Sequence, residues 1–182
     1  ISFSNEISNI CEKTEGTDVN TVLEGVHLDK RLTQRINNKY YSPGIISYLK
    51  AGCGFGGSCL PKDINALKIY ANKKKIKTNL LEAVIKINNE RTERLKNIIK
   101  NELGSIKKKN IAILGLAFKA GTDDLRDSPS IKILKKLTKL GANVKVWDPK
   151  ININNNNYLK FSCKKYKNIY ETIKNTDCII IA

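Results

Sequence analysis

Apolar positions follow two different rhythms along the chain. In the first hundred residues they recur with a helical period: Phe3, Ile7, Ile10 and Cys11 fall at offsets of 4, 7 and 8 and predict one helix face. Gly16-Thr17-Asp18 breaks and recaps the chain, and Val19, Val22, Leu23 and Val26 predict a second short helix. From Asn37 to Pro61 the pattern dissolves. Pro43-Gly44 marks a turn, and Gly52, Gly54, Gly56 and Gly57 forbid a stable helix. Helix resumes at Pro61, which suits a first turn because proline lacks only an amide that has no partner there. Leu81, Val84, Ile85, Asn88, Leu95, Ile98 and Ile99 then mark a long amphipathic helix that stops near Gly104, read as a connector between two domains.

Beyond it the rhythm changes to short apolar runs. Ile111-Ala112-Ile113-Leu114 reads as a buried strand, followed by a loop from Gly115 to Asp127. Ser128-Pro129 supplies an N-cap and first turn for a helix over Ile131, Leu134 and Leu137, closed by Gly141. Val144–Trp147 is the next strand, a helix near Ile169–Ile173 follows, and Asp177-Cys178-Ile179-Ile180-Ile181-Ala182 reads as a strand inside a sheet. Strand, helix, strand, helix, strand signals a parallel doubly wound sheet. The fold class expected is α/β: a helical segment over 1–103 with a long connecting helix, joined to a truncated Rossmann-like sheet over 104–182. With no methionine anywhere and an apolar strand at the very end, the chain is expected to be an internal piece of a longer protein.

Composition narrows the classes. The chain has 182 residues, 41% hydrophobic and 27% charged, which excludes collagen-like, mucin-like and wholly disordered readings. No apolar run approaches the ~18–20 residues that span a bilayer, and Ile1–Ile7 lacks the basic and apolar regions of a signal peptide. The formal net charge of +16 comes mostly from lysine dispersed along the chain, with runs at Lys73–Lys75 and Lys107–Lys109 and an asparagine-rich stretch over 152–157. Without interleaved arginines and aromatics or a recognisable motif, this reads as a solvated lysine surface, and no nucleic-acid or membrane partner is expected.

The five cysteines, Cys11, Cys53, Cys59, Cys163 and Cys178, form no C-x-x-C pair, and His27 is the single histidine. Neither a disulfide framework nor a metal site is expected, and a reducing, cytoplasmic setting fits best. Cys11 and Cys178 lie in apolar patterns and read as small core residues.

Gly52-Cys53-Gly54-Phe55-Gly56-Gly57 satisfies G-x-G-x-x-G, but no buried strand precedes it and Ser58-Cys59-Leu60-Pro61 delays the helix. A dinucleotide fingerprint needs both, so this loop is not one. Glycines let backbone amides approach a ligand closely. Cys59 follows at once, with Lys62 and Asp63 opening the next helix. A thiol beside a helix N-terminus and an ammonium group is expected to favour its thiolate. Asp63, a turn away, is placed to orient a water or accept a proton. A glycine turn followed by an inert buried cysteine is the plain alternative.

Gly54-Phe55-Gly56-Gly57-Ser58-Cys59-Leu60-Pro61-Lys62-Asp63 closely resembles the active-site segment of the UDP-glucose/GDP-mannose dehydrogenase family. Gly115–Pro129, with Phe118-Lys119-Ala120-Gly121-Thr122-Asp123-Asp124-Leu125-Arg126, resembles the family's substrate-domain loop, and Asn5-Glu6 and Trp147-Asp148-Pro149 fall in the family's order. The resemblance covers essentially the whole chain. It implies NAD-dependent oxidation of the C6 hydroxyl of a nucleotide-linked hexose to a carboxylate, through a cysteine thiohemiacetal and thioester. The uronic acid product would serve polysaccharide biosynthesis.

By the same resemblance Cys59 matches the nucleophile and Asp63 the aspartate that assists water. Lys62 and Arg126 match residues that meet NAD. Tyr48, Leu49, Lys50, Ala51 and Gly52, with Gly56, match the loop that holds the nucleotide sugar. Phe118 and Lys119 match substrate contacts, and Arg31 an arginine lent to the neighbouring subunit's sugar. Residues 1–103 would be the dimerisation and active-site domain, and 104–182 the domain that binds the UDP moiety. Ile7, Ile10, Leu95 and Ile98 suit either a homodimer (or higher homo-oligomer) contact or the internal core.

The family's N-terminal NAD domain is not in these 182 residues, so alone they are expected to be inactive. Asp29-Lys30-Arg31 and the Gly54–Gly57 run are more similar to the UDP-glucose branch than to the GDP-mannose branch, which remains the rival. A non-catalytic nucleotide-binding or assembly module is the alternative of another class.

Overall fold

The computed structural model describes residues 1–151, 163–166 and 168–182; the asparagine-rich stretch over 152–157 lies outside the described residues. Six helices and six strands are described: α1 (Ser2–Cys11), α2 (Val19–His27), β1 (Gln34–Ile36), β2 (Lys39–Tyr41), a 3₁₀ turn (Gly44–Leu49), α3 (Leu60–Lys73), α4 (Asn79–Leu103), β3 (Asn110–Leu114), α5 (Pro129–Lys139), β4 (Asn143–Trp147), β5 (Cys163–Lys165), α6 (Ile169–Ile173) and β6 (Cys178–Ile181). None of these helices is long and apolar enough to cross a membrane.

The second half builds the sheet. Its order is β5-β4-β3-β6 and every pairing is parallel, with Ile111 opposite Val144 on one side and Cys178 on the other. The chain steps from β3 to β4 in one direction and from β5 back across to β6 in the other. Right-handed crossovers running in opposite directions put α5 and α6 on opposite faces, so the sheet is doubly wound and Rossmann-like. Ile111, Ile113, Leu116, Leu134, Leu137, Val144 and Val146 are fully buried between these layers. Gly141, at φ +82, closes α5 where a side chain would be strained.

The strand order reverses between β3 and β6, and ligands of doubly wound sheets bind beyond the carboxyl ends of the strands at such a point. The loop leaving β3 begins there. Gly115 adopts φ +92, and a Cβ on it would lie 2.7 Å from the Ala182 carbonyl oxygen.

Four expectations change. The 37–61 segment is not featureless: β1 and β2 form an antiparallel hairpin through Asn37 and Asn38, both at positive φ (47 and 60), the geometry of a type I′ turn. Its strands are exposed on both faces, so no apolar alternation announces them. In α1 the buried residues are Ser2, Ser4, Asn5, Ser8 and Cys11, whereas Phe3 and Ile10 are 65% and 59% exposed; small polar side chains let α1 lie close to α4, with Ser2 donating to the Val84 carbonyl. Ser128 precedes α5 but makes no side-chain cap, because its hydroxyl donates instead to the Leu116 carbonyl at 2.6 Å. The terminal strand is an edge of the described sheet, with Ile180 buried, Ile179 and Ile181 exposed and Cys178 half-buried. Strand β5 carries no apolar run and was not expected.

Candidate active site

The two loops that resemble family motifs meet. Gly57 N–H donates to the Arg126 carbonyl at 2.8 Å. A Cβ on Gly56 would lie 2.4 Å from the Asp127 carbonyl oxygen, and one on Gly57 would lie 2.8 Å from the Phe118 ring. Glycine is required here because neighbouring protein occupies the space a side chain would take.

The loop's amides are also engaged by protein. Gly52 N–H donates to Asn5 Oδ1 at 2.8 Å, and Phe55 N–H to Asn88 Oδ1 at 2.7 Å. The expected row of bare amides open to a ligand is therefore replaced, at Gly52, Phe55 and Gly57, by amides that fix the loop in place.

What the docked loops enclose is a cavity of about 720 Å³, within the usual range for small-molecule sites. Cys59 lies on its wall with Gly56, Gly57 and Ser58, and Tyr48, Leu49, Phe118 and Lys119 line it as well. Ile45, Leu60, Ile64 and Val84 make much of the remainder apolar. Cys59 is exposed, directly precedes the first turn of α3, and its Sγ lies 3.7 Å from Ser58 Oγ. Cys53, six residues earlier, packs against the hydrophobic core, and burial pushes its thiol up despite the nearby Arg91. Of these two thiols, only Cys59 faces the cavity.

Lys119 Nζ sits 5.5 Å from the centroid of the Phe118 ring, a cation–π arrangement at the cavity wall. Their loop is braced from behind by Asp148, whose buried carboxylate accepts from the N–H groups of Leu116 (2.7 Å), Ala117 (3.1 Å), Lys150 (2.8 Å) and Ile151 (3.2 Å). Phe118 N–H adds a bond to the Asp124 carbonyl at 3.0 Å.

The other expected residues lie around the cavity rather than in its wall. Asp63 stands one turn beyond Cys59 on α3, exposed, with Lys62 Nζ at 2.9 Å; that hydrogen bond holds the Lys62 ammonium above its ordinary range. Lys62 borders a second hollow behind the glycine loop, and Arg126 borders a third, shared with Ser58, Lys132 and Lys135. Arg126 holds Asp124 through two guanidinium nitrogens at 3.0 and 2.8 Å, which lowers the Asp124 carboxyl. Arg31 projects into solvent with its guanidinium on Asp29 at 2.6 Å. Lys50 and Ala51 do not line the cavity, and Gly52 is fixed at both its N–H and its carbonyl, which accepts from Arg91 Nε at 2.9 Å.

Asn5, Asn88 and Arg91 were missed as loop-holding residues. Asn5 carried a signal through its place in the Asn5-Glu6 motif, and Asn88 as a polar amide standing within the apolar stripe of the long helix; Arg91 carried none. Among the described residues no cluster of His, Cys, Asp and Glu could hold a metal ion.

Comparison with known proteins bears on the family and the fold. The family model described as the UDP-glucose/GDP-mannose dehydrogenase family, central domain, matches residues 1–90, and that family's UDP binding domain matches residues 112–182. A UDP-glucose 6-dehydrogenase of Bacillus subtilis is 41% identical over 182 residues, covering 100% of this chain and 38% of that protein. One from Rickettsia bellii is 45% identical over 150 residues, covering 82% of this chain and 32% of that protein. The solved structure of a UDP-glucose dehydrogenase from the archaeon Pyrobaculum islandicum aligns with a TM-score of 0.87 at 31% identity, over 100% of this chain and 39% of that one. The chain thus spans between 32% and 39% of the length of these relatives.

Proposed function

Because the chain belongs to the UDP-glucose/GDP-mannose dehydrogenase family, we propose that it forms part of an enzyme that oxidises UDP-glucose to UDP-glucuronate, with Cys59 as the covalent nucleophile. The observation that carries this reading is the exposed thiol on the wall of a cavity large enough for a small ligand, which Phe118 and Lys119 also line. UDP-glucose is preferred over GDP-mannose because the Bacillus subtilis and Rickettsia bellii relatives carry that name.

In this scheme the sugar's C6 lies against Cys59 and the diphosphate near the Lys119 ammonium. Tyr48 and Leu49 flank the sugar nucleotide. Once C6 is at the aldehyde level, the Cys59 thiolate adds to it as a thiohemiacetal, which keeps a reactive aldehyde from escaping. Removal of the second hydride leaves a thioester on Cys59. Water, assisted by Asp63, hydrolyses that thioester, releases the carboxylate and restores the thiol.

The donor set suits a dinucleotide: Arg126, Lys132 and Lys135 border one hollow of about 440 Å³, and Lys62 borders the adjoining one. Cations thus outnumber the single carboxylate there, Asp127, which pairs with Lys132 at 3.7 Å, and the excess positive charge suits a pyrophosphate. NAD, when bound, supplies the acceptor for the two hydrides. Arg126 and Lys62 would hold it from this chain's side.

Residues 1–103 are proposed as the dimerisation and active-site domain and 104–182 as the UDP-binding domain. The exposed apolar side chains of the first part, Phe3, Ile10, Val22 and Val26 among them, support a homodimer or higher homo-oligomer in which Arg31 reaches a neighbouring subunit's sugar. The setting proposed is cytoplasmic, and neither nucleic acid nor membrane enters the scheme.

The test uses the full-length protein. Two NAD are expected to be reduced per UDP-glucose, GDP-mannose is expected to be turned over far more slowly, and Cys59→Ser is expected to abolish turnover by orders of magnitude while sugar-nucleotide binding persists. Binding without turnover in the unaltered protein, or full turnover by Cys59→Ser, would overturn the reading.

A further inference from the structure

We infer that Asn88 is a positioning residue for Cys59: from α4, its side-chain amide grips the two peptide units that flank the Phe55 Cα and thereby aims the loop that carries the thiol into the cavity. This rests on the reading of Cys59 as the nucleophile.

Asn88 makes two hydrogen bonds to one residue. Its Oδ1 accepts from Phe55 N–H at 2.7 Å, and its Nδ2 donates to the Phe55 carbonyl at 3.1 Å. A primary amide offers an acceptor and a donor side by side in one plane, so the pair fixes the orientation of Phe55 as well as its position. The approach depends on the neighbouring residue, since a Cβ on Gly54, at φ +110, would lie 2.6 Å from Asn88 Oδ1. Phe55 is buried on the cavity wall, and Gly56, Gly57, Ser58 and Cys59 follow without a break along it.

The support behind the amide is stiff and the loop in front of it is not. Helix α4 runs 25 residues, and Arg91, one turn on, fixes the start of the loop through the Gly52 carbonyl. Between Gly52 and Cys59, Phe55 is the one large side chain in the buried core. Hydrophobic packing alone leaves this stretch with little to define its path; the Asn88 amide fixes it at Phe55, between the ties that Asn5 and Arg91 make at Gly52 and the Arg126 carbonyl makes at Gly57.

The experiment measures kcat and KM in the full-length protein for Asn88→Ala and Asn88→Asp. Displacing a reacting group by about 1 Å can cost about 10²-fold in rate, so Asn88→Ala is expected to lower kcat by about that factor while KM for UDP-glucose changes by less than about threefold. Asn88→Asp adds a pH signature. An ionised carboxylate still accepts from Phe55 N–H but faces the Phe55 carbonyl with a second acceptor, whereas the protonated acid restores both bonds.

Lys62 and Lys132 border the same hollow and favour the ionised form, as does Arg91 on α4, whereas Asp127 and partial burial oppose it. The ratio of Asn88→Asp to wild-type kcat should therefore rise only as pH falls from about 6 toward the ordinary aspartate range at about 4, while the Asn88→Ala ratio stays flat. Asn88→Ala turnover within about twofold of wild type, or equally flat ratios for both variants, would overturn the inference. Cys59→Ser is run alongside: if it turns over normally the nucleophile reading itself falls, whereas an inert Cys59→Ser beside normal Asn88 variants refutes only the role of Asn88.

Discussion

The two parts of the molecule are held together by different forces. Beyond residue 104 the structure is a dense hydrophobic sandwich: Ile111, Ile113, Leu134, Leu137, Val144 and Val146 are essentially inaccessible, and the main core cluster begins only at Ile99. Before residue 104, just Cys11, Leu23, Phe55, Ala71 and Ile99 are buried apolar residues. Most of the large hydrophobics that remain exposed also lie there, with Leu140, Tyr170, Ile179 and Ile181 the exceptions among the described residues.

What replaces a core in the first part is a set of polar ties between α1, α4 and the glycine loop. Asn5 and Arg91 hold Gly52, Asn88 holds Phe55, and Arg94 pairs with Glu12. The lesson is a division of labour. The sheet gives rigidity, and the loosely packed part carries the thiol, placed by directional hydrogen bonds that fix a loop more sharply than apolar contact does.

That contrast breaks most visibly under truncation of the sheet's core. Leu134→Ala removes a fully buried side chain and should cost about 2–5 kcal/mol, read as a fall in thermal midpoint. Next in size, Gly56→Ala forces a methyl against the Asp127 carbonyl. Its expected effect is about a 10²-fold loss of kcat in the full-length protein with a much smaller change in melting than Leu134→Ala.

Ile10→Ser alters an exposed residue of α1, so monomer stability should move by no more than about 0.5 kcal/mol. Sedimentation should nevertheless show weakened self-association if the apolar face pairs subunits.

The smallest effect concerns the seam between the parts, where Glu93 of α4 meets Lys136 of α5 and also Lys96. Hydrogen bonds from these lysines lower the Glu93 carboxyl from 4.5 to about 2. A group depressed on folding stabilises above its unfolded value and loses that contribution as pH falls through the folded one. Acid between about pH 4.5 and 2 should thus loosen this tie. Glu93→Gln should flatten the dependence, and the exposure of the pair keeps the change slight.

Legibility in the sequence follows the same divide. Strands β3, β4 and β6 and helices α3, α4 and α5 could be read because burial imposes runs and stripes on the residues that form them. The hairpin escaped because its strands bury neither face; the positive-φ pair Asn37-Asn38 was its one trace. The stripe Phe3-Ile7-Ile10 does mark a helix, but Phe3 and Ile10 stay exposed, since the buried side of α1 is the polar one, where Ser2 donates to the Val84 carbonyl of α4, Ser4 to the Leu49 carbonyl, and Asn5 accepts from Gly52 N–H. The site was legible through its motifs, yet the reason for its glycines was not. Gly54, Gly56 and Gly57 make room for Asn88, Asp127 and Phe118, partners that no spacing along the chain reveals.

Differential alkylation of the full-length protein asks directly whether Cys59 is the thiol offered to the sugar. With limiting iodoacetamide, Cys59 should be modified well before the buried Cys11 and the half-buried Cys53, and UDP-glucose should slow its modification while leaving theirs unchanged. Labelling of Cys59 no faster than that of Cys53, or at a rate indifferent to saturating UDP-glucose, would contradict the account.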